Sequence, residues 1–125
     1  MPGPLRVFLV EDFPPVRDLI VENLQEIAGL ELAGVAEGEQ DALSWLNSHA
    51  CDVLILDLEL RQGNGLGVLK ALQSASGLVK IVYSNHVSSN IRSLAEHFGA
   101  SYFFDKTLDT PKLRHLLERL SEKPN

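Results

Sequence analysis

The sequence predicts an α/β fold, a doubly wound five-stranded parallel sheet with five helices over its two faces. Short continuous apolar runs alternate along the chain with segments whose apolar residues recur at a period near 3.6, as expected for strands buried on both sides and joined by crossover helices. One run, Val53-Leu54-Ile55-Leu56, is apolar throughout, which suits a central strand. A chain of 125 residues fits a single domain over residues 1–125, with 5–120 as its structured core. That length suffices to bury roughly 65% of the unfolded surface.

The first strand is expected over Leu5-Arg6-Val7-Phe8-Leu9-Val10. Pro14 and Pro15 suit the first turn of the next helix, because proline lacks only an N–H that is unpaired there anyway. Val16, Leu19, Ile20, Leu24, Ile27 and Ala28 form its apolar stripe, and Gly29 supplies the stop. A second strand near Leu32 to Ala36 leads to a helix carrying Ala42, Leu43 and Leu46, with Trp45 at its border. After the third strand, Gly63, Gly65 and Gly67 mark a loop and helix entry followed by Leu66, Val68, Leu69 and Leu72. This glycine run lacks the position and spacing of a dinucleotide-binding turn, so turn formation is its expected role. The fourth strand, Val79 to Tyr83, is followed by a helix lined by Ile91, Leu94, Ala95 and Phe98 and ended by Gly99. Ser101 to Asp105 makes the fifth strand. Thr110 is placed to cap the last helix, with Pro111 at its first position and Leu113, Leu116, Leu117 and Leu120 inward. Ser121 to Asn125 reads as a polar tail.

Bulk chemistry narrows the function. The formal charge of −6 and scattered basic residues argue against direct nucleic-acid binding by this segment. No apolar stretch exceeds four residues, so a membrane span is not expected, and the start lacks the features of a signal peptide. The single Cys51 rules out an internal disulfide and reads as a small buried hydrophobe. These features predict a cytoplasmic protein. His49, His97 and His115 lack metal-ligand company and are expected on the surface.

Four of the five apolar runs deliver chemistry at their carboxyl ends. Glu11 and Asp12 follow the first, Asp57 the third, Ser84 the fourth and Lys106 the fifth. In an open α/β sheet ligands sit beyond those ends, where the strand order reverses. With the order 2-1-3-4-5 the reversal falls between the first and third strands, where Asp12 and Asp57 meet. Carboxylates crowded at about 4 Å repel by several kcal/mol, and a divalent cation such as Mg2+ relieves this. Asp57 can then attack phosphorus, with Lys106 neutralising the equatorial oxygens and Ser84 donating a hydrogen bond. Singly, each residue has a plain structural role: Asp12 or Ser84 as a helix cap, Glu11 as a solvated strand end, Lys106 as a surface lysine. Asp57 at the end of an all-apolar strand is harder to place that way. The joint spacing favours a phosphoryl site.

Over essentially its whole length the sequence resembles the receiver domain of two-component response regulators, in the manner of the chemotaxis regulators. Val10-Glu11-Asp12 is similar to the family's acidic pair, Leu56-Asp57 to its phosphoacceptor, Tyr83-Ser84 to its hydroxyl position and Phe104-Asp105-Lys106 to its lysine segment. The 22-residue step from Ser84 to Lys106, Gly65 eight residues past Asp57, and Gly99-Ala100 also match. The resemblance implies a flavodoxin-like fold. It also implies phosphotransfer to Asp57 from a histidine kinase or histidine phosphotransfer protein, with Mg2+ held by Asp12, Asp57 and the Glu59 backbone carbonyl and by Glu11 through water. Ser84 and Phe103 correspond to the switch pair that alters the face of the fourth helix, fifth strand and fifth helix, where a partner, a missing output domain or a second copy would dock. Without a hydroxyl, Phe103 would switch by packing alone.

Departures from the family pattern are Thr107 and Arg61 in place of prolines, and Asn85 in place of a small residue. Asn85 is expected to narrow access to the phosphoryl group. Glu59 and His86, each two residues beyond a site residue, flank the path of attacking water and are expected to modulate phosphoryl lifetime. The leading expectation is a signalling phosphoacceptor, not an enzyme acting on other substrates, either standing alone or forming part of a transcriptional regulator. Two alternatives compete. One is a Mg2+-dependent phosphatase with an aspartyl-phosphate intermediate, for which Glu59 has the right offset but no cap domain fits. The other is a receiver-like interaction module that is never phosphorylated. A flavin carrier is excluded because Glu11 and Asp12 would repel its phosphate.

Overall fold

In the computed structural model, which describes residues 3–122, five parallel strands stand in the order β2-β1-β3-β4-β5, as expected. The elements are β1 (Leu5–Val10), α1 (Pro14–Gln25), β2 (Leu30–Ala36), α2 (Glu39–Ser48), β3 (Val53–Leu56), α3 (Gly65–Ala71), β4 (Val79–Ser84), α4 (Ser89–His97), β5 (Tyr102–Asp105) and α5 (Thr110–Ser121). Alternate residues of the inner strands point to opposite faces. Val7, Leu9, Val53, Ile55 and Ile81 pack on α1 and α5 through Ile20, Leu24, Leu113 and Leu117. Phe8, Val10, Leu54, Leu56 and Val82 face the other way, with Ala42, Val68, Leu69 and Ala95. In-register pairing of Val10 with Leu56 and of Leu56 with Val82 aligns the carboxyl ends of β1, β3 and β4 along one edge.

The glycines do different jobs. A side chain at Gly34 would run into Trp45, whose indole lies flat on Phe8 with ring centroids 4.1 Å apart. At Gly65 it would meet Leu58 Cα at 2.6 Å, so only glycine lets α3 start against the end of β3.

Several local expectations shift. Helix α1 ends at Gln25, where the Glu26 N–H turns back to the Asn23 carbonyl and the Ile27 N–H to that of Leu24; Ile27 stays buried in this turn, and Leu19 faces outward. Phe13, not Asp12, occupies the residue before α1, and no side chain caps the helix. Thr110 is inside α5, with its hydroxyl 2.6 Å from Tyr83 Oη and 3.3 Å from the Lys106 carbonyl, and so is not a cap. Ser88, rather than Ser84, caps α4 by accepting from the Ile91 N–H at 3.2 Å. On α4 only Ala95 is fully buried; Ile91 and Leu94 are exposed. His49 lies one residue past α2, stacked on Trp45. Cys51 is half-buried, and desolvation pushes its thiol up to about 11, which favours the neutral thiol over the thiolate at neutral pH. Of the polar tail, Lys123 to Asn125 lie outside the described residues, while Ser121 closes α5.

Candidate functional site

The carboxyl ends of β1, β3, β4 and β5 bring Glu11, Asp57, Ser84 and Lys106 into one cluster. Lys106 Nζ lies 2.7 Å from Asp57 Oδ2 and 2.8 Å from Glu11 Oε1. Ser84 Oγ donates to Asp57 Oδ1 at 2.8 Å, and the Glu59 N–H donates to the same oxygen at 3.0 Å. Glu11, Asp57 and Ser84 are buried. Burial pushes the Glu11 carboxyl up, and hydrogen bonding to Lys106 only partly offsets this. For Lys106 burial works downward, but hydrogen bonds and charge from Asp57 and Glu11 outweigh it, so its ammonium is held above the ordinary lysine value.

Asp12 completes the acid group. One carboxylate oxygen each from Glu11, Asp12 and Asp57 lie within 4.8 Å of one another. Lys106 bridges Glu11 and Asp57, whereas Asp12 Oδ2 accepts the Arg61 backbone N–H at 2.6 Å. Proline at 61 would have no such N–H. Arg61 appears in the sequence as a departure from a family pattern, and the consequence of that departure is this clip across the pocket. Side-chain patterns gave no sign of it, because the donor is a backbone group.

The remaining departures also find partners. Thr107 Oγ1 donates to Asn85 Oδ1 at 3.3 Å, joining the loops after β4 and β5. Without proline, the turn after Lys106 is shaped by Asp105, whose Oδ1 accepts from the Thr107 and Leu108 N–H groups at 2.7 and 3.1 Å. His86, exposed, has φ +50°, a left-handed conformation that costs energy outside glycine. Glu59 is exposed, and both it and His86 line a 240 Å³ recess beside Ser84 that also includes Asn85 and Ile91. Phe103 is not among the contacts of the acid cluster. It sits half-buried under the Arg92 guanidinium, 4.4 Å from its ring centroid, bordering a 160 Å³ cavity that it shares with Ser84 and Val87.

Fold and site define a class of signalling domain, and comparison with known proteins agrees. The family model "Response regulator receiver domain" matches residues 7–118, so the chain belongs to the receiver domains of two-component response regulators. It is 32% identical to a protein-glutamate methylesterase/protein-glutamine glutaminase of Halalkalibacterium halodurans, covering 100% of this chain and 38% of that protein. Against the transcriptional regulatory protein MalR of Bacillus subtilis identity is 35%, over 95% of this chain and 51% of the relative. The chain thus spans about half or less of these curated relatives. Among solved structures, the receiver domain of the putative response regulator NarL from Mycobacterium tuberculosis superposes with a TM-score of 0.84 at 23% identity, covering 98% of this chain and 100% of that one. The response regulator domain of Thermotoga maritima CheB gives 0.81 at 21% identity, with 94% and 93% covered. These two likenesses establish the fold.

Proposed function

We propose that this receiver domain takes a phosphoryl group on Asp57 from the phosphohistidine of a histidine kinase or histidine phosphotransfer protein, and presents the change to a partner through the α4-β5-α5 face. The observation that carries this is the buried contact of one carboxylate, Asp57, with an ammonium at 2.7 Å and a hydroxyl at 2.8 Å. In the transfer, a carboxylate oxygen of Asp57 forms a bond to phosphorus while the donor's P–N bond breaks and its electron pair returns to the imidazole. Lys106 is positioned to neutralise charge on the transferring oxygens, and Ser84 to donate to one of them once its bond to Asp57 is released.

The donor set suits Mg2+, which favours hard oxygens and a small number of carboxylates. Asp12, Asp57 and the Glu59 carbonyl would hold the ion, with Glu11 contributing through water; it supplies charge neutralisation on the phosphoryl oxygens. The position of Asp12 supports this, since it shares the acid group without sharing the lysine. Movement of Ser84 would open room toward the cavity that Phe103 borders, and Phe103 turning inward would alter the α4-β5-α5 face, where Ile91, Leu94 and Tyr102 are exposed. That face would receive a downstream protein, an output domain or a second copy. Glu59, Asn85 and His86 would set the lifetime of the phosphorylated state.

Cytoplasmic residence fits the same reading; no helix among the described residues is long and apolar enough to cross a membrane. Receiver membership gives no support to the phosphatase alternative. The test is intact-mass analysis after incubation with acetyl phosphate and Mg2+. The parent is expected to gain one phosphoryl group and Asp57→Asn none. An adduct on both would place the acceptor elsewhere.

A further inference from the structure

The spaced glycines after β3 have a second purpose besides turning the chain. Glu39, at the first turn of α2, reaches across to the β3–α3 loop, and its Oε1 accepts the Asn64 N–H at 2.8 Å. A side chain on Gly67 would fall on the Glu39 carboxylate, 2.7 Å from Cδ, and one on Gly63 would come within 2.8 Å of Oε1. Gly67 is helical with no positive φ, so backbone conformation does not demand glycine there; the carboxylate does. The backbones join as well, with the Glu39 N–H donating to the Gln62 carbonyl at 3.0 Å. Glu39 therefore sits in a socket whose walls are glycine.

What this socket fastens matters chemically. Between Asp57 and Asn64 the loop offers two N–H groups to the acid pocket: Glu59 to Asp57 Oδ1 at 3.0 Å and Arg61 to Asp12 Oδ2 at 2.6 Å. A bridge between Glu59 and Asn64 ties the site end of the loop to the residue that Glu39 grips. Fixing Asn64 thereby fixes the donors that orient both aspartates.

We propose that Glu39 is a positioning residue for the acid pocket. By holding the β3–α3 loop it orients Asp12 and Asp57 for a divalent cation, without touching cation or phosphoryl group. This rests on the Mg2+ site proposed above. Groups that orient metal ligands typically influence affinity by about 10-fold or more when lost.

Calorimetric titration of the full chain with Mg2+ tests this. Glu39→Ala is expected to weaken binding about 10-fold. Glu39→Gln, which keeps an acceptor oxygen for Asn64, is expected to restore the affinity. Hydrogen exchange in metal-free protein should show faster exchange for residues 58–64 in Glu39→Ala. Gly67→Ala supplies an independent arm: it should lower Tm in the parent but raise it in the Glu39→Ala background, where the carboxylate is gone and alanine favours the helix. Parent-like Mg2+ affinity in Glu39→Ala, or a Gly67→Ala effect of the same sign in both backgrounds, would overturn the role of Glu39. A parent that binds no Mg2+ would overturn the cation site itself and the inference with it, an outcome that the metal-free arms keep distinct.

Discussion

Two lysines are sequestered in this molecule at different places on the sheet, and they live in opposite electrostatic settings. Lys106, beyond β5, has a side chain only 10% exposed and faces two carboxylates. Lys80, inside β4, is 3% exposed, and its ammonium donates to the Leu72 carbonyl at the end of α3, 2.7 Å away. Burial drags Lys80 below its ordinary value, while Asp57 and Glu11 hold Lys106 above it. Burial alone therefore does not mark a functional lysine. Lys106 is paired with the groups that do chemistry; Lys80 is a second donor to a helix-end carbonyl that also accepts the Ala75 N–H at 2.9 Å. Its stem also lies against Gly99, where any side chain would meet Nζ at 2.8 Å.

Removing each charge should separate the two roles. Lys106→Met leaves Glu11 and Asp57 buried without their cation. It is expected to cost about 3 kcal/mol of stability in metal-free buffer and to slow phosphorylation about 100-fold, measured by urea unfolding and by intact mass over time. Ser84→Ala deletes one donor to Asp57 and should cost about 1 kcal/mol, with a smaller rate loss than Lys106→Met in the same assays. Lys80→Met keeps the volume and removes an uncompensated charge, so stability should remain within about 1.5 kcal/mol of the parent, with phosphorylation unchanged.

Alkaline pH sharpens the contrast. Lys80 has a folded value below its ordinary 10.5, so between those two values the unfolded chain binds more protons and this residue's contribution rises with pH. Lys106 has a folded value above 10.5; its stabilisation is intact below that pH and is lost as pH climbs through the folded value. Unfolding free energies of Lys80→Met should therefore lack a component that rises toward pH 10.5. The smallest effect is expected from Arg92→Ala, which uncovers Phe103 and should cost less than about 1 kcal/mol. A change in its phosphorylation rate would couple the Phe103 cavity to Ser84.

The same contrast shows how far the residues alone could be read. Lys106 was legible because it follows an apolar run and stands 22 positions after Ser84. Lys80 gave no such signal: within an otherwise apolar strand it looks like an ordinary interruption, and its partner is a backbone carbonyl. The same holds for the Arg61 clip on Asp12 and for Thr107 with Asn85, where the relevant donor or acceptor depends on loop geometry. Thr110 misled for a related reason. A threonine before proline suits a cap, but the Tyr83 hydroxyl claims it through a tertiary contact at 2.6 Å.

The residues by themselves determined the strand sequence, the central position of β3 and the identity of the polar groups at the carboxyl ends, because apolar periodicity and burial are local properties that a parallel sheet sums along one edge. Only the tertiary structure decided that Lys106 would bridge Glu11 and Asp57 and leave Asp12 aside, that Asp12 would be held by a backbone N–H, and that Gly63 and Gly67 make room for Glu39. Those outcomes turn on distances of a few tenths of an ångström between loops far apart in the chain, and hydrogen bonding and Coulomb energy vary steeply over that range.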